Sequence, residues 1–273
     1  MLDYGKHSVL GIGVNAIDYE SAVGRIIDAA RVNQAMSATA LAVHGVMTGV
    51  LDREHQYRLN QFDLVCPDGQ PVRWALNSLH GKRFPGERLS DRVYGPELTL
   101  RLCEAAAEQD VPIYLFGATE EMLSQFAEKL GERFEGLRIV GKRASAFRQI
   151  TPEERDELAA EIVASGAQMC FVGLGCPRQE IFAYEMKERL QMPLIAVGAA
   201  FAFHAGVLEQ APPWMQSAGL EWLFRLTREP SRLWRRYLYL NPTYLTLLGL
   251  QKVGLYRKRT DGGQPPQKDL LFG

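Results

Sequence analysis

The chain has 273 residues, 47% hydrophobic and 23% charged, enough for one large folded body or a body with a smaller appendage. Its formal net charge of -1 gives no electrostatic case for a nucleic-acid partner. Cys66, Cys103, Cys170 and Cys176 are widely scattered, so they form no recognisable disulfide framework or metal-ligand spacing, which fits a reducing, cytosolic setting with no metal and no cofactor. The N-terminus has no signal-like segment and no run reaches about 18 apolar residues, which argues against an integral membrane protein and leaves a peripheral one open.

In chain order, Val9 to Ile17 reads as a hairpin or strand, and Tyr19 to Val32 as a helix with Ala22, Ile26, Ile27 and Ala30 on its buried face. "ATALAVHGVM" reads as a strand to about Val43 with His44 and Gly45 at its exit, followed by one helix from Thr48 to Asn60. "FDLVCPDGQP" ends a short apolar run in a proline, an acid and a glycine, then enters a helix around Val72 to Leu79. A polar, basic loop or mobile segment spans His80 to Arg92, and helices are expected at Leu98 to Gln109 and Glu120 to Phe134. "VPIYLFGA", "LRIVG", "QMCFVGLG" and "MPLIAVGAA" read as strands. Thr151, Pro152 and Glu154 carry the capping pattern of a helix running to Ser165.

This alternation predicts an α/β fold, a Rossmann-like and mostly parallel sheet flanked by helices. Residues 1–205 form the expected α/β body, 206–256 a helical appendage, and 257–273 a flexible tail rich in Gly, Pro and Gln.

Asp68 stands at a strand exit, where it reads either as a general base for an attacking hydroxyl or as a turn carboxylate bonded to a helix-start amide. His44 reads either as a contact to phosphate, sugar or Asp68, or as an ordinary turn histidine. Arg83, Arg88 and Arg92 are candidates for a leaving diphosphate, since guanidinium forks match phosphate oxygens, with a solvated basic loop as the plain alternative. In "GLGCPRQE", Gly173 and Gly175 permit close backbone approach while Gln179 and Glu180 suit sugar or nucleotide hydroxyls; Glu180 also suits a helix dipole. These glycines do not spell the dinucleotide fingerprint, which disfavours a nucleotide-linked oxidoreductase. Phe201 and Phe203 wall a pocket or fill the core, and His204 belongs to no recognisable triad or zinc pattern.

The appendage places Arg225, Arg228, Arg232, Arg235 and Arg236 among Trp222, Phe224, Trp234, Tyr237 and Tyr239. Three readings stay open on these residues: contact with an anionic membrane surface, packing against the body, or another macromolecular interface.

Taken together, "PDGQPVRW", "RVYGPE", "GLGCPRQE", "VGAAFAFHAG" and "APPWMQSAGLEWLFRLTREPSRLWRRY" resemble the WecG/TagA/CpsF family of bacterial glycosyltransferases over about residues 9 to 245. The resemblance implies metal-independent, inverting transfer of a hexose from a UDP-sugar donor to a polyprenyl-diphosphate-linked saccharide in cell-surface polysaccharide or exopolysaccharide biosynthesis. It implies Asp68 of "PDG" as catalytic base, with Gly69 beside it, Arg92 at the donor diphosphate, and Pro177, Gln179 and Glu180 beside the donor. The family's Thr-x-Asn element falls on Ala42, Val43 and His44, and its "FDF" element on Phe201, Ala202 and Phe203, so no aspartate role transfers to Ala202. With the resemblance included, the appendage is expected to place the enzyme in the cytoplasm, peripheral on the inner face of the cytoplasmic membrane. A homo-oligomer is left open. The alternative function is a noncatalytic nucleotide-sugar-binding or polysaccharide-assembly regulatory protein.

Overall fold

In the computed structural model, residues 1–256 and 262–273 are described, apart from the side chains of Arg232 and Arg236. Strands β1 (Asp3–Val9) and β2 (Ile12–Ile17) pair antiparallel as a separate two-stranded sheet. The main sheet contains β3 (Met36–Leu41), β4 (Leu64–Pro67), β5 (Ile113–Gly117), β6 (Ile139–Arg143), β7 (Met169–Gly173) and β8 (Pro193–Ala196). Its order is β4-β3-β8-β7-β5-β6, with parallel pairing throughout.

Alternate residues of a strand point to opposite faces, and here both faces are covered. Along β5, Ile113 and Leu115 join one apolar cluster while Tyr114 and Phe116 join the other; along β7, Met169 and Phe171 divide from Cys170 and Val172 in the same way. One face is covered by α1 (Tyr19–Arg31), α5 (Gly95–Glu108), α6 (Glu120–Arg133) and α9 (Gly198–His204). The other is covered by α2 (Val43–Leu51), α3 (Arg53–Gln61), α4 (Gln70–His80), α7 (Pro152–Ala164) and α8 (Arg178–Leu190). This is an α/β fold with a parallel sheet flanked by helices.

Most expected helices appear within a residue or two of their predicted ends, and α7 carries the capping box between Thr151 and Glu154. The segment after β3 departs from expectation. The strand stops at Leu41, so His44 lies in the first turn of α2 rather than at a strand exit. The single helix expected at Thr48 to Asn60 is two, because Asp52 adopts an extended backbone and its carboxylate accepts from the Glu54 and His55 amides, starting a new helix.

The appendage comprises α10 (Pro213–Ser217), α11 (Glu221–Arg228) and α12 (Pro230–Lys252). Tyr244 of α12 is buried and its hydroxyl donates to the Pro71 carbonyl at 3.1 Å, fixing the long helix to the start of α4. The membrane placement expected for this segment is corrected. Among the described residues no helix is long and apolar enough to cross a membrane. Some of its cations and rings make protein contacts: Arg228 pairs with Glu209, Trp222 meets the Tyr237 ring edge-on at 6.0 Å, and Arg235 lies 5.2 Å from the Trp234 ring centre. Arg232 and Arg236 were expected in the same role, and their side chains lie outside the described residues.

Residues 257–261 of the expected tail also lie outside the described residues. From Gly262 onward the chain runs back along the body. The Gly262 carbonyl accepts from Asn60, and the Leu270 and Leu271 amides donate to the Glu185 carboxylate on α8 at 2.8 and 3.0 Å.

Candidate active site

Asp68 follows the last residue of β4, at the carboxyl edge of the parallel sheet where loops gather ligand-facing groups. Its amide donates to the carbonyls of Leu41 and Cys66, so neighbouring strand ends hold the turn. Gly69 then adopts φ 82, a left-handed backbone that a β-carbon would strain, and turns the chain into α4 with Pro71 in its first turn.

Asp68 is half-buried, and burial pushes its carboxyl up to about 7. Arg92, Arg225 and the Gly69 amide oppose that rise, while Glu221 adds to it. A carboxyl poised there changes protonation within the range where proton transfer is useful.

Arg92 is 5% exposed. Its guanidinium donates to Glu221 at 2.7 Å and to Gln216 at 2.9 Å, and it lies 4.1 Å from the centre of the Tyr94 ring. Burial works against the Arg92 charge, and Asp68 and Glu221 outweigh it, raising the pKa. Thus α10 and α11 close over Arg92 with side chains of their own, and the charges acting on Asp68 come from both the body and the appendage. A cavity of about 220 Å³ opens beside Arg92, lined by Tyr19, Asp91 and Arg101 among others. A second, of about 250 Å³, lies against Phe203, Phe224, Arg225 and Arg228.

The turn after β7 is organised by Gln179, which is 5% exposed. Its side-chain carbonyl accepts from the amides of Gly175 at 3.1 Å and Gly198 at 2.9 Å, tying the starts of α8 and α9 together. Pro177 caps α8. At Gly173 a β-carbon would stand 2.7 Å from the Phe201 ring, so only glycine allows that approach. Glu180 is 1% exposed; its Oε1 accepts from Gln179 at 2.9 Å and from the Thr39 hydroxyl at 3.1 Å. Burial raises its pKa, against the pull of those donors and the Cys176 thiol alongside.

The residues singled out from sequence therefore divide. Asp68, Gly69, Arg92 and Arg225 share one electrostatic neighbourhood. Gly173, Gly175, Pro177, Gln179 and Glu180 form the neighbouring turn. Phe201 is fully buried and packs on Phe126 at 4.6 Å, a core residue, whereas Phe203 borders the second cavity. His44 is half-buried, with Thr48 Oγ1 3.4 Å from its Nδ1. Arg83 and Arg88 are exposed, one beside His80 and the other beside Gly81, and neither is among the charges acting on Asp68. Sequence reasoning missed Glu221, Gln216 and Tyr94. No local spacing signals the first two, which meet Arg92 from 129 and 124 positions away.

An acid with a raised pKa and a buried arginine at the carboxyl edge of a parallel sheet suit nucleotide-activated group transfer, and comparison with known families agrees. The model of the glycosyl transferase WecG/TagA/CpsF family matches residues 7–258, and the chain belongs to that family.

Proposed function

We propose that this glycosyltransferase moves a hexosyl group from a UDP-sugar to a hydroxyl of a polyprenyl-diphosphate-linked saccharide, with inversion, during cell-surface polysaccharide assembly. Membership of the family implies a nucleotide-sugar donor and a lipid-linked acceptor in general terms. The observation that carries the finer reading is the Asp68 carboxyl, pushed up to about 7 beside a buried, charged Arg92.

In the proposed step, the acceptor hydroxyl gives its proton to Asp68 as its oxygen forms a bond to the anomeric carbon. The bond from that carbon to the UDP oxygen breaks on the opposite face, and UDP leaves with the electron pair. A single displacement inverts the centre, and no metal is assigned to it. A guanidinium has five N–H donors, of which Glu221 and Gln216 each take one, so Arg92 retains donors for the departing diphosphate. We place the donor along the Gly173 to Glu180 turn, where Gln179 holds the Gly175 and Gly198 amides and Glu180 in turn orients Gln179. Catalysis is assigned to residues 1–205, and closure over Arg92 to the 206–256 segment.

The test is product formation from a panel of UDP-sugars and lipid-linked monosaccharide acceptors, with UDP binding measured separately. Wild type is expected to transfer with one matched pair, and folded Asp68→Asn to bind UDP without comparable transfer. UDP binding with no transfer by wild type across the matched panel would replace this reading with the noncatalytic one.

A further inference from the structure

We infer that His55, Cys176 and Glu180 together bind one divalent transition-metal ion of the zinc class. The three residues come from α3, from the turn after β7 and from α8, and each offers one ligand atom, all within 4.8 Å of one another. Tetrahedral zinc with bonds of about 2.0 to 2.3 Å places its ligand atoms roughly 3.3 to 3.8 Å apart, so a contraction of about 1 Å brings these three atoms into tetrahedral positions and leaves the fourth to a water molecule.

The second observation concerns buried polar atoms. His55 is 1% exposed, and neither of its ring nitrogens has a hydrogen-bond partner. Glu180 is equally buried, and while Thr39 and Gln179 hold its Oε1, its Oε2 has no hydrogen-bond partner. Buried polar atoms are seldom left this way, and one cation would take up one ring nitrogen of His55 and the free oxygen of Glu180 at once. Imidazole, thiolate and carboxylate together suit zinc or cobalt, whereas magnesium and calcium take sets of oxygen ligands. A thiolate and a carboxylate also balance the two positive charges inside the protein. Thr39 and Gln179 act as orienting groups behind the carboxylate, a common arrangement around bound metals.

The ion has a structural place, outside the proton transfer assigned to Asp68. It ties α3 to the turn that holds Gln179, and so braces the proposed donor side. The assignment does not rest on the proposed reaction, because its readout is metal binding.

The full chain, prepared without a histidine tag and stripped of metal by a chelator, should be titrated with Co²⁺. One equivalent per chain is expected, with the visible bands of tetrahedral cobalt and a thiolate-to-cobalt charge-transfer band, all bleached by Zn²⁺. Cys176→Ser should lose the charge-transfer band, and His55→Gln should bind at least tenfold more weakly while retaining the wild-type circular dichroism. Cys176 is only half-buried, so its variant keeps the test decisive if His55→Gln fails to fold. No saturable binding of Co²⁺ or Zn²⁺ by wild type at micromolar protein would overturn the assignment. A charge-transfer band that survives in Cys176→Ser would do the same.

Discussion

Asp68 and Glu180 are two carboxyls whose ionisation burial disfavours, yet their neighbours differ in kind. Around Asp68 the influences are mostly charges, Arg92 and Arg225 against Glu221, partly supplied by helices that arrive late in the chain. Around Glu180 they are neutral donors from a strand threonine and the adjacent glutamine. The first arrangement lets a proton come and go at a half-buried edge. The second holds a side chain still. A raised carboxyl pKa alone does not identify a base; the surrounding charges and the access to solvent do.

The sharpest way to break this contrast is the reaction itself. Asp68→Asn should lower kcat/KM by roughly 10² to 10⁴-fold, the usual worth of a positioned general base. Wild-type kcat/KM should rise with pH and level off above about 7, because Asp68 must be deprotonated to act. Steady-state rates across pH check both, and a loss below tenfold would remove the distinction between the two carboxyls.

Next in size is the contact that joins body to appendage. Arg92→Ala should destabilise the fold by about 3 to 5 kcal/mol, since it leaves Glu221 without its buried partner. Arg92→Ala combined with Glu221→Gln should recover part of that loss. Denaturant midpoints of the two single variants and the double variant measure the coupling.

Glu180→Ala should cost roughly 1 to 3 kcal/mol by stranding the Thr39 hydroxyl and the Gln179 amide. Chemical denaturation reads it directly, and a neutral result would mean the network contributes no rigidity.

The smallest effect sharpens the Asp68 side. The folded carboxyl titrates near 7, above its unfolded value of about 3.9, so its contribution to stability is present at low pH and lost as pH rises through 7. Asp68→Asn cannot lose that contribution. Measured against wild type, it should gain on the order of 1 kcal/mol in going from pH 5 to pH 8, a figure kept small for partial solvent access and the Arg92 charge. Thermal midpoints at the two pH values test it.

The parallel strands were legible because burial on both faces makes them continuous apolar runs such as "VPIYLFGA". The Thr151 cap was legible because its partner lies three positions away. The break at Asp52 was not: no proline or glycine marks it, and the backbone shows that the carboxylate begins a second helix. In the site, strand-end chemistry pointed to Asp68 and the resemblance pointed to Arg92. Glu221, Gln216 and His55 are brought in by tertiary packing and leave no spacing to read. The appendage misled for a related reason. Arginines among aromatics have the same composition whether they face lipid phosphates or protein carboxylates and rings, and only their contacts distinguish the two.

The position of β8 bears on how the molecule is made. In the sheet it lies between β3 and β7, yet it is the last of the six strands in the chain. During synthesis, β3 with β4 and β7 with β5 and β6 therefore emerge as two separate ribbons, each showing an unpaired edge until residues 193–196 leave the ribosome. That interval is when stray pairing with other nascent chains is most dangerous, and a chaperone that shields exposed strand edges would act there.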